Sequence, residues 1–138
     1  GQEYGTTTGR GRRCGWLDLV ALRQSCRLNS LSGLVITRLD VLAGVGDLQV
    51  ATAYTLDDQE IGHLPADVMD LGQVKPVYQG LKGWEGDLRS ARKLEDLPGS
   101  VRRYLEFIEE FTGTPAAILS VGPDREETIV VRPDLIWG

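Results

Sequence analysis

The feature that most limits the possible folds is an apolar stripe in residues 98–112. Its apolar side chains recur every three or four residues, which is the spacing of one face of an α-helix. The stripe is formed by Val101, Tyr104, Leu105, Ile108 and Phe111. Pro98 precedes it and Gly113 follows it, as is typical of helix ends. The sequence therefore predicts an amphipathic helix in this region.

Runs of β-branched and apolar residues around this helix predict strands. Residues 34–37 form a run that suits a buried strand, and residues 117–119 and 128–131 form two more, separated by a polar loop. Residues 48–56 alternate apolar and small polar side chains and lead through a turn into a short segment, which predicts a hairpin. One short strand is predicted within residues 62–97. This order of elements indicates an α/β fold with helices packed on strands.

A second helix is predicted over residues 14–28, directly after a basic, glycine-rich loop. Five of its residues share one face at helical spacing. They are Leu17, Val20, Ala21, Gln24 and Leu28.

Charge and composition exclude several classes of protein. The formal net charge of -5 argues against general nucleic-acid binding, which needs a basic surface. The two cysteines, Cys14 and Cys26, have no CxxC spacing, so neither a zinc site nor a disulfide framework is expected, and reduced thiols in a cytoplasmic protein fit best. Apolar runs are too short for a spanning helix, so no membrane association is expected.

The first candidate ligand-binding segment is the loop GTTTGRGRRCG, residues 5–15. Glycines permit close backbone approach, and the amides and the following helix N-terminus favour anions. The guanidinium groups of Arg10, Arg12 and Arg13 bind carboxylate or phosphate bidentately. It is neither a P-loop nor a GxGxxG motif. A solvated, flexible basic loop is the alternative interpretation.

The second candidate segment is TRLD, residues 37–40, at the end of a predicted strand. The carboxylate of Asp40 is able to accept hydrogen bonds from the ring N–H and exocyclic amine of guanine, a donor pair that adenine lacks. Arg38 is expected to lie across the face of the base. The alternative is a surface ion pair or a helix cap.

The third candidate segment is SVGPDREET, residues 120–128. Ser120 and Gly122 follow a predicted strand, so their backbone groups are expected at a sheet edge, free to bind a ligand. The alternative is an ordinary turn made by Gly122, Pro123 and Asp124.

These three segments, in this order, resemble adenylosuccinate synthetase. The similarity continues through LNSLSGL, VYQGLKGW, EDLP and FIEEFTG and covers the chain to about Arg132. It implies that residues 1–138 are the C-terminal part of a P-loop-NTPase-like α/β fold. It also implies a GTP-dependent carbon–nitrogen ligase of the cytoplasm, homodimeric at full length, that makes adenylosuccinate from IMP and L-aspartate with GTP hydrolysis.

The resemblance also implies roles for individual residues. Residues 1–13 would contain the substrate loop that closes on aspartate and IMP, and residues 34–40 and 116–122 would contain the guanine-binding segments. The implied substrate-binding residues are Thr6, Thr7, Thr8, Gly9, Arg10, Gly11 and Arg12. The implied GTP-binding residues are Arg12, Arg38, Leu39, Asp40, Ser120, Val121 and Gly122. Gly11 and Arg38 stand where this family usually has proline and lysine.

The family's phosphate loop, catalytic residues and Mg²⁺ ligands are expected in an N-terminal part that precedes these residues. The chain begins directly in the loop, which we interpret as a cut chain, with a tag remnant or a processed start as the alternative. Neither catalytic nor metal-binding residues are predicted here, and the chain alone is expected to be inactive. A non-catalytic guanine-nucleotide binding module, or a remnant that only packs on a full-length partner, are the rival hypotheses.

Overall fold

The computed structural model describes residues 16–62 and 74–137 of the chain. The fold is mixed α/β, with helices and 3₁₀ turns between the strands. The elements are β1 Leu17–Asp18, α1 Leu19–Asn29, β2 Leu34–Ile36, a 3₁₀ turn Leu39–Leu42, β3 Leu48–Leu56, β4 Gln59–Ile61, β5 Val74–Leu81, a 3₁₀ turn Leu94–Asp96, α2 Gly99–Thr112, β6 Ala116–Ser120, β7 Thr128–Val130 and α3 Asp134–Trp137.

Helix α2 confirms the prediction from the apolar stripe. Its buried residues include Val101, Tyr104, Leu105 and Ile108, which lie on the predicted face. Gly113 ends the helix in the left-handed conformation, at φ 71°, and its amide donates to Glu109 O. The helix packs against α1, where the guanidinium of Arg23 lies 4.2 Å from the centre of the Phe111 ring.

Helix α1 begins later than the sequence predicted. Leu17 and Asp18 instead form β1, which pairs in parallel with Val50 and Ala51. The side chain of Asp18 then accepts a 3.0 Å hydrogen bond from Ala21 N and caps the helix. The predicted face was also wrong in part, because the buried residues of α1 are Leu19, Val20, Leu22 and Cys26, while Leu28 is 77% exposed.

The first sheet is built around β3. It pairs in parallel with β1 and antiparallel with β4 and β5. The predicted hairpin is confirmed, since Tyr54 lies opposite Ile61 and Leu56 opposite Gln59. Strand β5 confirms the strand predicted in the middle stretch.

The second sheet has the order β2–β6–β7 and positions the candidate site. Strands β2 and β6 are parallel, with Ile36 opposite Leu119, and β7 returns antiparallel to β6. Strand β2 is buried on one side only, because Leu34 and Ile36 are in the core while Val35 is 57% exposed. The prediction of a buried strand therefore holds for one face of β2 and is wrong for the face that carries Val35.

One hydrophobic core joins the two sheets and the helices. It combines residues of α1 and α2 with the inner faces of β2, β3 and β6, and it includes Trp84 from the segment after β5. The ring of Trp84 meets that of Tyr104 edge-on, at 5.3 Å between centroids. Trp84 is 3% exposed and is therefore a packing residue.

Candidate functional site

The candidate site lies where β2 and β6 end. Because the two strands are parallel and Ile36 is opposite Leu119, their carboxyl ends reach the same edge of the sheet. The main-chain amide of Arg38 donates a 2.7 Å hydrogen bond to Ser120 Oγ. Two segments that the sequence singled out separately, residues 37–40 and 120–122, are thus in direct contact.

Arg38 holds an uncommon backbone conformation at this edge. Its φ of 54° and ψ of 53° are left-handed, which costs free energy in a residue that is not glycine. This turn redirects the chain from β2 into the 3₁₀ turn Leu39–Leu42, and the hydrogen bond to Ser120 ties it to β6. Such strain at a strand end is often associated with binding.

The side chains of Arg38 and Asp40 form a bidentate ion pair. Arg38 Nε donates to Asp40 Oδ1 and Nη2 donates to Asp40 Oδ2, both at 2.9 Å. The hydrogen bond from Arg38 lowers the pKa of Asp40 below its ordinary value, and Asp40 in turn raises the pKa of Arg38. Asp40 is 15% exposed and Arg38 37% exposed, so the carboxylate is ionised, oriented and still within reach of a ligand.

Leu39 differs from its two neighbours because its side chain belongs to the core. It is 1% exposed, and its carbonyl accepts a hydrogen bond of 3.4 Å from Trp84 Nε1. Burial of Tyr104, which packs on Trp84, raises the pKa of that phenol to about 12. Leu39 therefore anchors the turn, and its side chain does not face a ligand.

The segment Ser120–Gly122 offers fewer free groups than the sequence suggested. Ser120 Oγ already accepts from Arg38, and the amide of Val121 donates a 2.8 Å hydrogen bond to Glu127 O. Val121 itself is fully buried. The expectation of a free backbone concerned Ser120 and Gly122, and the Gly122 amide donates to no main-chain oxygen of the described residues.

An ion pair that the sequence analysis missed lies against Gly122. Glu127 Oε2 accepts a 2.7 Å hydrogen bond from Arg89 Nε, and Glu127 Oε1 accepts one of 2.9 Å from Asp124 N. Arg89 lowers the pKa of Glu127, whose side chain is only 8% exposed. A β-carbon at Gly122 would overlap the Glu127 carboxylate. Arg89 and Glu127 are 38 residues apart, so no local pattern predicts the pair.

The remaining site predictions fall outside the described residues. Thr6, Thr7, Thr8, Gly9, Arg10, Gly11 and Arg12 all lie in residues 1–15, and their predicted roles stay predictions. Within residues 16–62 and 74–137, no group of three or more His, Cys, Asp and Glu residues is arranged to hold a metal ion. No helix in those ranges is long and apolar enough to cross a membrane.

Comparison with known proteins supplies the family context of this geometry. A family model described as adenylosuccinate synthetase matches residues 1–129. The chain is 48% identical over 132 residues to the adenylosuccinate synthetase of Myxococcus xanthus, with 96% of the chain and 30% of that protein covered. It is 49% identical over 135 residues to the Clostridium perfringens protein of the same name, with 98% and 32% covered.

A solved structure gives the same result for the fold. The fully ligated adenylosuccinate synthetase from Plasmodium falciparum superposes with a TM-score of 0.76 at 33% identity, covering 93% of this chain and 31% of that one. The chain therefore spans about 30% of the length of the relatives that it matches.

Proposed function

Since this chain belongs to the adenylosuccinate synthetase family, we propose that it is the C-terminal part of an enzyme that forms adenylosuccinate from IMP and L-aspartate. The reaction is driven by GTP hydrolysis to GDP and phosphate, so the parent is a GTP-dependent carbon–nitrogen ligase of purine nucleotide synthesis. The part described here provides the guanine pocket. The parent is proposed to have a P-loop-NTPase-like fold and to act as a cytoplasmic homodimer.

The observation that carries the guanine assignment is the hydrogen bond from Arg38 N to Ser120 Oγ. It joins the turn that carries Asp40 to the segment Ser120–Gly122 at one sheet edge. Ligands of α/β proteins bind at such carboxyl-terminal edges. A base that enters between the two segments is then contacted by both of them at once.

Asp40 is the residue proposed to recognise the base. Its carboxylate has about four lone-pair positions, and the Arg38 fork uses two of them, which leaves acceptors for the ring N–H and the exocyclic amine of guanine. Adenine presents no such pair of donors and would leave the carboxylate unpaired. Because the pKa of Asp40 is lowered, the group remains an acceptor at neutral pH.

The side chain of Arg38 takes a different position from the one the sequence suggested. Its guanidinium lies on Asp40, where it orients the carboxylate, and is not extended across an open base site. We propose that this fork is kept when guanine binds, and that Arg38 acts on the base through Asp40. Stacking on the base would require the fork to open.

The second guanine contact is assigned to Gly122. The base carbonyl of guanine is an acceptor, whereas adenine has an amine at that position, so a main-chain amide discriminates between the two. Gly122 is also the residue at this edge where an added β-carbon has no room. Glu127 and Arg89 occupy that space, so the assignment rests on the Gly122 amide, which donates to no main-chain oxygen of the described residues.

The other ligands of the reaction are assigned to parts of the protein outside the described residues. Arginines and threonines of residues 6–12 are proposed to bind the aspartate carboxylates and IMP, with Arg12 also on GTP. Within the described residues, no group of three or more His, Cys, Asp and Glu side chains is arranged to hold a metal ion. The magnesium ligands are proposed to lie in the N-terminal part of the parent enzyme.

The test is an amide NMR titration of the isotopically labelled chain with GDP and, in parallel, with ADP. Shifts at residues 38–40 and 120–122 with GDP alone are the expected result. Asp40→Asn should weaken GDP binding about tenfold or more and reduce the preference over ADP, because an acceptor becomes a donor. Asp134→Asn is the matched control, since Arg132 holds Asp134 in the same bidentate geometry away from this edge.

The titrations of the two variants either support or refute the assignment of Asp40. Selective loss of GDP binding in Asp40→Asn but not in Asp134→Asn supports a guanine pocket at this edge. An unchanged ratio of GDP to ADP affinity in Asp40→Asn would refute the assignment of Asp40.

A further inference from the structure

We propose that Arg89 is a positioning residue for guanine recognition, acting by holding Glu127 against Gly122 and thereby fixing the backbone of residues 120–122. The proposal rests on the proposed function, because it concerns the same guanine pocket. Arg89 lies on the segment between β5 and α2, outside all three segments that the sequence singled out.

The first step of the argument is the closure of the loop after β6. Glu127 closes it three times: its carbonyl accepts from Val121 N, its amide donates to Asp124 O, and its carboxylate accepts from Asp124 N. Residues 121–127 therefore form a compact turn that the hydrogen bonds of Glu127 hold together. The Glu127 carboxylate lies beside Gly122, in the space that a β-carbon there would need.

The second step is that Glu127 needs a partner. A carboxylate with 8% of its side chain exposed is costly unless it is paired and hydrogen-bonded. Arg89 provides the charge through the 2.7 Å bond from Nε to Oε2, and its Nη2 lies 3.6 Å from Asp124 Oδ2. Without Arg89, the Glu127 carboxylate would turn toward solvent and leave the space beside Gly122 empty.

The third step is that the side chain of Arg89 also lies beside Gly122. Its Cγ lies 3.1 Å from the position that a β-carbon of Gly122 would occupy. The aliphatic stem of Arg89 and the Glu127 carboxylate thus enclose the same face of Gly122. A shift of either group moves the Gly122 amide, which is the proposed donor to the base.

The fourth step links the Arg89–Glu127 pair to Asp40, the residue proposed to recognise the base. The Arg38–Asp40 hydrogen bonds are the main cause of both pKa shifts; beyond them, the Arg89 charge lowers the pKa of Asp40 and the Glu127 charge raises the pKa of Arg38. The Arg89–Glu127 pair thus favours the charged forms of Asp40 and Arg38.

The experiment combines amide hydrogen exchange with GDP and ADP titrations of the whole 138-residue chain. In Arg89→Ala the amide of Asp124 should lose protection, and GDP affinity should fall about fivefold while ADP affinity stays the same. Arg89→Lys should recover part of the loss, since lysine keeps the charge but not the fork. Arg132→Ala, which removes the exposed ion pair to Asp134, is the matched control and should change neither quantity.

Two failures are distinguishable. If the wild-type chain prefers GDP and Arg89→Ala binds it equally well, the role of Arg89 is refuted and the guanine pocket stands. If the wild-type chain shows no preference for GDP over ADP, the guanine pocket proposed for these residues is refuted and the role of Arg89 in it falls as well. Should Arg89→Ala not fold, Glu127→Gln takes its place with the same expected and contradicting results, because it removes the charge and keeps the shape.

Discussion

The amide of Arg38 and the hydroxyl of Ser120 are 82 residues apart in the sequence and 2.7 Å apart in the structure. This hydrogen bond satisfies the main chain of a residue held in the left-handed conformation, at the point where β2 turns into the 3₁₀ turn. It also sets the distance between the two proposed guanine-binding segments. Its strength therefore determines both the local stability and the shape of the site.

Ser120→Ala is expected to lower the free energy of unfolding by about 1 kcal/mol, because the amide of Arg38 would lose its partner in a partly buried position. Urea unfolding of the chain measures the change. Ser25→Ala is the control, since its hydroxyl accepts only a 3.4 Å bond from the exposed Asn29 side chain. That variant should change stability by no more than about 0.5 kcal/mol. Equal effects of the two substitutions would contradict the prediction.

The parts of the fold that follow from local periodicity were predictable. The stripe that contains Val101 and Ile108 identified α2, and the alternation in residues 48–56 identified β3 and its hairpin. The start of α1 was not predictable from periodicity, because Leu17 and Asp18 are drawn into a strand by pairing with Val50 and Ala51. Asp18 did carry a usable local signal, since aspartate favours the N-cap position.

The turn between β3 and β4 gives a second prediction. Asp57 and Asp58 have φ values of 55° and 68°, the conformation of a type I′ turn, which favours Asn-Gly. The double variant Asp57→Asn/Asp58→Gly should raise the free energy of unfolding by about 0.5 to 1 kcal/mol, because glycine adopts positive φ without strain. Asp57→Asn/Asp58→Asn removes the same charges without glycine and should stabilise less. Thermal unfolding measures the stability of both variants. The opposite order of stability would contradict the prediction.

The candidate site was predictable only in part. The three residues Arg38, Leu39 and Asp40 were visible as a motif, and an ion pair between Arg38 and Asp40 was among the interpretations that the local spacing allowed. Contacts between segments distant in sequence were not visible. The Arg89–Glu127 pair and the burial of Leu39 depend on how the loops pack, which no local pattern records.

The pH dependence of stability should follow the Arg38–Asp40 pair. The pKa of Asp40 is lowered by folding, so at acidic pH the unfolded chain binds more protons than the folded one. The stability that this group contributes is complete above its unfolded pKa of about 4 and is lost as the pH falls through the folded pKa. Free energies of unfolding measured from about pH 6 to about pH 2 should therefore fall less steeply in Asp40→Asn than in the wild type.

Arg38→Met checks the cause of this dependence. It leaves the carboxylate of Asp40 in place and removes the hydrogen bonds that lower its pKa. Its free energy of unfolding should therefore fall less steeply toward acidic pH than that of the wild type, as in Asp40→Asn. A profile as steep as that of the wild type would show that the pair does not set the pKa of Asp40.

The last prediction concerns Gly122 and tests whether the Glu127 carboxylate fills the space beside this residue. Gly122→Ala should lower the free energy of unfolding by about 1 to 3 kcal/mol, since the new methyl group overlaps that carboxylate. The same substitution should cost much less in a Glu127→Ala background, where the space is open. Gly99→Ala is the control: its nearest neighbour would be Arg103 Nη1 at 3.6 Å, and alanine is the better helix former, so this variant should be neutral or stabilising by up to about 1 kcal/mol. Equal costs of Gly122→Ala in the two backgrounds would mean that the carboxylate does not determine the space at Gly122, and it would remove the contact through which Arg89 is proposed to act.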